Sequence, residues 1–199
     1  MNFLTHYYRY CSLIAICCLL LLSGCTLTQP SAESRYYMLA GAPLKPPQPV
    51  TAVGPVYVVG PLNFAEYLQR SSVVTRLSEN EYEVAKLEQW GGKIEDEFQI
   101  ALFKDLSALL PEKRFFRYPS LVNLPDVTSL RADILRFDCQ LNGDARLEVS
   151  WAWVRNNDII AAGTFSQSAP AGNSTAAAVA AQSALVQAFA ETLVQELNR

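Results

Sequence analysis

Apolar and polar side chains alternate most regularly between residues 135 and 153. Neighbouring side chains of a strand point to opposite faces of a sheet, so one row is expected in the core and the other in water. Before the Asn142-Gly143 pair, the expected core row is Leu135, Phe137, Cys139 and Leu141. The expected solvent row is Arg136, Asp138 and Gln140.

The alternation continues beyond a tight turn, to which Asn142-Gly143 is expected to supply the positive backbone dihedrals. The next strand places five apolar side chains on one face, namely Ala145, Leu147, Val149, Trp151 and Trp153. A turn at residues 156–158 then leads into a third strand at residues 159–166, which predicts an antiparallel meander. We interpret both tryptophans as core residues rather than a ligand platform, and Cys139 as a buried side chain rather than a reactive thiol.

Helical spacing of apolar residues follows an earlier stretch of the chain, from about Gly92 to Leu110, with Pro111 ending it. The apolar positions of this helix are Ile94, Phe98, Ala101, Leu102, Leu106 and Leu109. The acidic cluster at residues 95–97 is interpreted as a solvated first turn, where carboxylates are common.

A second, alanine-rich helix is predicted from about Ser174, with an apolar side formed by Val179, Leu185, Val186, Phe189 and Leu193. No charged residue occurs between Ile159 and Ala190. The outer face of the helix is therefore expected to be covered by a partner, such as a second copy of this chain, or to be a weakly polar solvated surface. Gln182, Ser183 and Gln187 argue against a membrane-spanning helix.

Further strands are predicted at residues 34–39 and 53–59, and a hairpin at residues 73–77 and 82–85. Together these elements predict an α+β fold. We expect a largely antiparallel sheet of about five to seven strands, with two main helices packed on one face.

The first apolar run, from Leu13 to Leu22, is too short to span a bilayer and has the form of a signal peptide. It ends in Leu22-Ser23-Gly24-Cys25, which matches a bacterial lipobox. Acyl chains on Cys25 would anchor the cleaved protein in a lipid bilayer. The alternative is an ordinary secretory signal with an incidental Cys25. Thr26, rather than an aspartate, favours the outer membrane by analogy with Gram-negative lipoproteins.

These features divide the chain into three parts. Residues 1–24 form the removed signal peptide, and residues 25–50 hold the lipidated N-terminus, the first strand and a proline-rich connector. Residues 51–199 form the α+β domain, whose sheet the strand at residues 34–39 is expected to join.

Cleavage before Cys25 removes the only histidine, His6, and leaves Cys139 as the one unmodified cysteine. Without an imidazole, serine and cysteine triads and nearly all catalytic zinc sites are excluded, and we predict neither a metal nor a cofactor. Arg9 is the only charged side chain lost, so 15 basic side chains remain against 19 acidic ones. This balance, without a basic tract, argues against nucleic acid as a partner. We predict a binding or scaffolding protein, not an enzyme.

Several segments, in this order, resemble a known family of lipoproteins. They are Tyr36-Tyr37-Met38-Leu39, Gly60-Pro61 with Tyr67-Leu68-Gln69-Arg70, Val73-Val74-Thr75-Arg76, Trp90 and the helix at residues 177–185. The chain is similar to the ABC-type transport auxiliary lipoproteins, the PqiC-like group associated with MCE-domain lipid transporters.

The resemblance implies an outer-membrane lipoprotein that faces the periplasm and docks onto an MCE-domain protein, assisting phospholipid movement between the two membranes. A docking surface is then expected at Tyr67, Leu68, Arg70 and Arg76, with the arginines pairing partner carboxylates or lipid phosphates. In the alternative, Tyr67, Leu68 and Trp90 fix the packing of a loop, and the arginines make internal ion pairs.

Two other functional classes remain open from the sequence. One is an envelope-assembly lipoprotein, a plug or chaperone for an outer-membrane barrel protein or glycolipid. The other is an enzyme with paired carboxylates, such as a peptidoglycan glycosidase, which needs two carboxyl groups across a cleft.

Overall fold

Eight strands and two helices occupy the part of the chain that the computed structural model describes, residues 32–44, 55–119 and 126–198. The strands are β1 (Arg35–Tyr37), β2 (Val56–Phe64), β3 (Ser72–Ser78), β4 (Glu81–Trp90), β5 (Arg114–Arg117), β6 (Val127–Cys139), β7 (Asp144–Arg155) and β8 (Asp158–Pro170). The helices are α1 (Ile94–Leu109) and α2 (Thr175–Leu197). The predicted signal peptide, Cys25, Thr26 and most of the proline-rich connector lie outside the described residues.

The predicted meander forms one half of the sheet, because β6, β7 and β8 pair antiparallel in sequence order. The other edge of β6 is shared by two strands. β2 pairs with it in parallel from Val56 to Phe64, and β3 contacts it in parallel only at its end, where Thr75 lies opposite Cys139. β5 pairs with β2, and the β3–β4 hairpin carries β1 on its outer side. The described sheet is therefore mixed and has eight strands, more than the five to seven expected.

The main core lies between the sheet and the two helices, which confirms the α+β class. α1 packs against β2, β5 and α2, whereas α2 packs mainly against β7 and β8. All five apolar side chains predicted for the inner face of β7 are buried, and Trp153 is completely enclosed. Both β7 tryptophans, Trp151 and Trp153, are core residues, as the alternation indicated.

Helix α1 follows its predicted bounds closely, but two of its side chains differ from expectation. Leu109 is exposed, and Leu110, just beyond the helix, is buried instead. In the acidic cluster, Asp96 is exposed, but Glu97 is buried, so the prediction of a fully solvated first turn was wrong. Glu97 lies on the same side of the helix as Phe98 and Ala101, which pack into the core.

Helix α2 begins directly after Ser174, whose side chain accepts a hydrogen bond from the Ala177 N–H at 3.3 Å. Its predicted apolar side is buried. By length and composition the helix could cross a membrane, but half of its most apolar stretch is buried within the domain. Gln182 and Ser183 are buried too, and Gln182 donates to the Phe137 carbonyl at 3.3 Å. This helix is part of the core.

Strand β6 departs from the predicted alternation, because its pairing with β7 shifts register between Ile134 and Arg136. Leu135, expected in the core, is 55% exposed at this irregularity. Asp138, expected in water, is only 1% exposed. Phe137 and Cys139 are buried as predicted. The register shift explains the error at Leu135, because the core-facing positions before it are even-numbered. Asp138 does lie on the face opposite Phe137 and Cys139, and it is buried there by Tyr67, Arg76 and Arg136.

The hairpin turns use asparagine in the left-handed region of backbone space. Asn142 has a φ of 61°, and Asn156 and Asn157 have φ values of 51° and 67°. Gly143 does not adopt the positive φ that was expected of it. Asparagine tolerates this region better than most residues, so the turn positions followed from the sequence.

Candidate functional site

A single helical turn at Glu66–Leu68 places Tyr67 and Leu68, two of the four expected docking residues, beside β6. The turn begins where β2 ends, and the Ala65 N–H donates to the Ile134 carbonyl of β6 at 3.0 Å. Leu68 is buried in the core, as is Trp90 at the end of β4. These two apolar contacts hold the turn against the sheet.

The buried carboxylate of Asp138 is the common hydrogen-bond acceptor for the polar side chains of this region. Its Oδ2 atom lies 2.6 Å from Arg76 Nη2 of β3 and accepts a hydrogen bond from the Tyr67 hydroxyl at 2.9 Å. Its Oδ1 atom accepts from Arg136 Nε at 3.1 Å. Arg76 also donates from Nη1 to the Glu79 carbonyl at 2.9 Å. The carboxylate thus joins the helical turn, β3 and β6.

The ionisation of the Asp138 cluster reflects this close pairing. Burial opposes the charged carboxylate, but the hydrogen bonds from Arg76 and Tyr67 and the charge of Arg136 outweigh it and hold the pKa of Asp138 below its usual range. The hydrogen bond to Asp138 raises the pKa of Arg76 further. Burial, followed by the charge of Asp138, raises the pKa of Tyr67 to about 12. The cluster is therefore a charged ion pair network at neutral pH.

The Asp138 network holds three elements together, and its carboxylate is a weak base. Both oxygens accept hydrogen bonds and the pKa is held low, so the group has little tendency to take up a proton near neutral pH. A charged hollow of only about 100 Å³ lies beside it, lined by Arg76, Arg136, Asp138, Asp144 and Arg146 among others. Among the described residues, no group of three acidic, histidine or cysteine side chains could hold a metal ion.

The four expected docking residues separate into different environments. Arg76 forms an internal ion pair, Leu68 is buried, and Tyr67 is half-buried under the Arg76 guanidinium, 6.0 Å from its ring centroid. Arg70 is exposed, and its Nε donates to the Tyr67 carbonyl at 3.2 Å. Of the two arginines, only Arg70 presents its guanidinium to solvent.

An open groove of about 450 Å³ runs beside Arg70. Its walls include Gln69, Arg70, Ser71, Trp90, Lys93 and Glu95. The groove therefore combines an aromatic wall with two cationic side chains, Arg70 and Lys93, and one carboxylate, Glu95. Such a surface suits a partner or ligand with acidic and apolar groups.

Cys139 lies behind the Asp138 network and is a free, buried thiol. Burial, with the charge of Asp138 added, raises the pKa of the thiol to about 11. Thiols react as thiolates, so this side chain is protected from reaction in the folded protein. The structure places it as a small core residue.

Arg136 and Asp138 were not predicted as members of this site. The apolar residues of β6 change from even to odd positions between Ile134 and Phe137, which is a sequence signal for the bulge. The burial of Asp138 has no such local signal, because Arg76 and Tyr67 lie 62 and 71 residues away along the chain.

Comparison with known proteins connects this fold to a family. A family model described as "ABC-type transport auxiliary lipoprotein component" matches residues 37–194, which is well over half of the chain. The chain belongs to this family. It is thus an auxiliary lipoprotein of ABC-type transport, a membrane-associated component of the cell envelope, and the family is not a known enzyme family.

Solved structures share the fold of this auxiliary lipoprotein. One, described as an uncharacterized protein, has a TM-score of 0.70 at 16% identity and covers 83% of this chain and 99% of its own. Another, protein XCC0632 from Xanthomonas campestris of the DUF330 family, has a TM-score of 0.64 at 18% identity and covers 81% of this chain and 93% of its own. At these identities the likeness concerns the fold alone. Among curated proteins no match was found.

Proposed function

We propose that this auxiliary lipoprotein is anchored in the outer membrane through acyl chains on Cys25 and faces the periplasm. It docks onto an MCE-domain protein as a scaffolding subunit of a phospholipid transport system, and a separate ATPase supplies the energy. The observation that carries the proposal is the family match across residues 37–194. The lipobox that ends at Cys25 supports the membrane anchor.

Arg70 is the residue to which we assign the docking contact. Its guanidinium is exposed at the groove, whereas the charge of Arg76 is already compensated by Asp138. A planar guanidinium can pair with a carboxylate of the partner or with a lipid phosphate. Tyr67, Leu68 and Arg76 support the docking surface by holding the turn that carries Arg70.

The proposal is tested by crosslinking the lipidated protein in intact cells and identifying its partners by mass spectrometry. Recovery of an MCE-domain protein is the expected result. Recovery of an outer-membrane barrel protein alone would overturn the transport role and favour an envelope-assembly lipoprotein.

The assignment of Arg70 is tested by repeating the pull-down with Arg70→Ala. We expect at least ten-fold less MCE-domain protein, with an unchanged melting temperature, because the side chain is exposed. Arg131→Ala removes another exposed arginine, on β6, and is the matched control. Equal recovery with both variants would show that Arg70 is not part of the docking surface.

We also propose that copies of the chain contact one another through the outer face of α2 between Ala176 and Ala184, where no side chain is charged. Ala176, Ala180 and Ala184 form an exposed row on this helix, and their small side chains permit close approach. Sedimentation of the purified protein is expected to show an oligomer that Ala180→Glu weakens. A monomeric wild-type protein would rule out this contact.

A further inference from the structure

The β3–β4 hairpin has an open strand edge. β1 pairs with β4 only at Glu88, Gln89 and Trp90. From Glu81 to Leu87, the outer edge of β4 has no strand partner among residues 32–44, 55–119 and 126–198. Backbone donors and acceptors along such an edge are free to pair with another strand. The pairing of β4 with β3 shifts register between Val84 and Gln89, so the regularly paired part of this open edge is Glu81–Val84 and an irregular part follows it. Even the regular part has the length of a short strand.

Large apolar side chains are exposed along this same edge. Tyr82 is 39% exposed, Val84 is 36% exposed and Leu87 is 38% exposed. On the adjacent strand β3, Leu77 is also exposed. An open edge with partly exposed apolar side chains is the arrangement that proteins use to bind an extended segment by strand addition.

The charges of the edge indicate which occupant it suits. Glu81 and Glu83 are exposed and form no ion pair within the described part of the chain, and Lys86 is the only basic residue between Glu81 and Leu87. Two copies of this net acidic edge repel each other. Cross-strand pairs of opposite charge are favourable, so a basic segment is complementary to it.

We propose that β4 binds, along Glu81–Leu87, an extended segment of a partner protein in which basic residues alternate with apolar ones. Backbone hydrogen bonds to the open edge supply affinity. The carboxylates of Glu81 and Glu83 pair with the basic residues, and Val84 and Leu87 contact the apolar ones. The inference is independent of the transport role, because it needs only the open edge and its charges.

The first test uses a synthetic peptide, Thr-Lys-Val-Lys-Val-Lys-Val-Thr, and the full-length lipidated chain in detergent micelles. We expect the peptide to slow amide hydrogen exchange within Glu81–Leu87 at least ten-fold. The exchange rates of the amides of β8, another edge strand, are expected to stay the same. A peptide with glutamate in place of each lysine is expected to bind at least ten-fold more weakly. Absence of protection on β4, or equal binding of the two peptides, overturns the proposal.

The second test changes the charge of the edge. Glu83→Lys is expected to weaken binding of the lysine peptide at least five-fold, whereas Glu112→Lys, an exposed control beyond α1, leaves it unchanged. Circular dichroism confirms that both variants remain folded. Equal binding by both variants overturns the proposal. Protection of these amides that increases with protein concentration alone identifies a second copy as the occupant and also overturns it.

Discussion

Asp138 shows what a single buried charge contributes at the scale of residues. It accepts hydrogen bonds from Arg76, Arg136 and Tyr67, which come from β3, β6 and the helical turn. A buried carboxylate is tolerated only when it is paired and hydrogen-bonded, and removal of one member leaves the others uncompensated. The network therefore fixes the position of the turn that carries Arg70.

Asp138→Asn is expected to lower the free energy of unfolding at pH 7 by about 3 kcal/mol, because Arg76 and Arg136 lose their buried counter-ion. Urea denaturation measures this change. Asp133→Asn is the control, since Asp133 is an exposed residue of the same strand. This variant is expected to change the free energy of unfolding by less than about 0.5 kcal/mol. Equal losses for the two variants would contradict a structural role for the network.

The effect of Asp138→Asn is also expected to depend on pH. The pKa of Asp138 in the folded protein is lower than in the unfolded chain, where it is about 3.9. The stabilisation is therefore complete above that unfolded value and is lost as the pH falls through the folded one. Urea denaturation at pH 7, 4 and 3 is expected to show a shrinking difference between wild type and variant. A constant difference would identify another cause.

At the scale of secondary-structure elements, turn residues form the hairpins and the apolar helix faces pack the helices onto the sheet. The β7–β8 hairpin depends on Asn156 and Asn157, which both have positive φ. The apolar side of α2 closes the core over β7 and β8. Both features follow from short stretches of sequence.

Asn157→Ala is expected to destabilise the protein by about 1 kcal/mol, because alanine is strained in the left-handed region. Asn157→Gly is expected to cause no loss, since glycine adopts this region freely. Thermal melting of the two variants measures the difference. Equal melting temperatures would show that the turn relaxes into another conformation.

Phe189→Ala is expected to lower the free energy of unfolding by about 3 kcal/mol or more, because the ring is fully buried 5.2 Å from that of Phe165. Gln187→Ala, on the exposed side of α2, is expected to change it by less than about 0.5 kcal/mol. Urea denaturation measures both. A negligible loss for Phe189→Ala would contradict the assignment of α2 to the core.

At the scale of the whole molecule, the described residues from Ser34 onward form one compact unit. The proposed lipid anchor at Cys25 precedes this unit in the chain. Anchoring and folding are therefore expected to be separable properties of this auxiliary lipoprotein.

Cys25→Ala is expected to move the protein from the membrane fraction to the soluble fraction without changing the urea midpoint of the folded unit. Cell fractionation with immunoblotting measures the distribution. Cys18→Ala, which alters another cysteine of the N-terminal apolar run, is the control and is expected to stay in the membrane. A Cys25→Ala protein that stays in the membrane would contradict the lipid anchor.

The sequence by itself determined the features that depend on neighbouring residues. The bounds of α1 and α2, the β3–β4 hairpin, the asparagine turns and the buried face of β7 all arise from local spacing and local backbone preferences. The order of family motifs also identified the family correctly.

Only the tertiary structure decided which strands lie side by side and which charges meet. The parallel pairing of β2 with β6, the short strand β5 and the bulge in β6 were not predicted. Asp138 was predicted to face water because two of its partners, Tyr67 and Arg76, lie more than 60 residues away along the chain. Only Arg136 is close to it in sequence. Alternation of apolar and polar residues shows which side chains of a strand point to the core only while the register of the strand is unbroken. Contacts between segments that are distant along the chain form only when the chain folds.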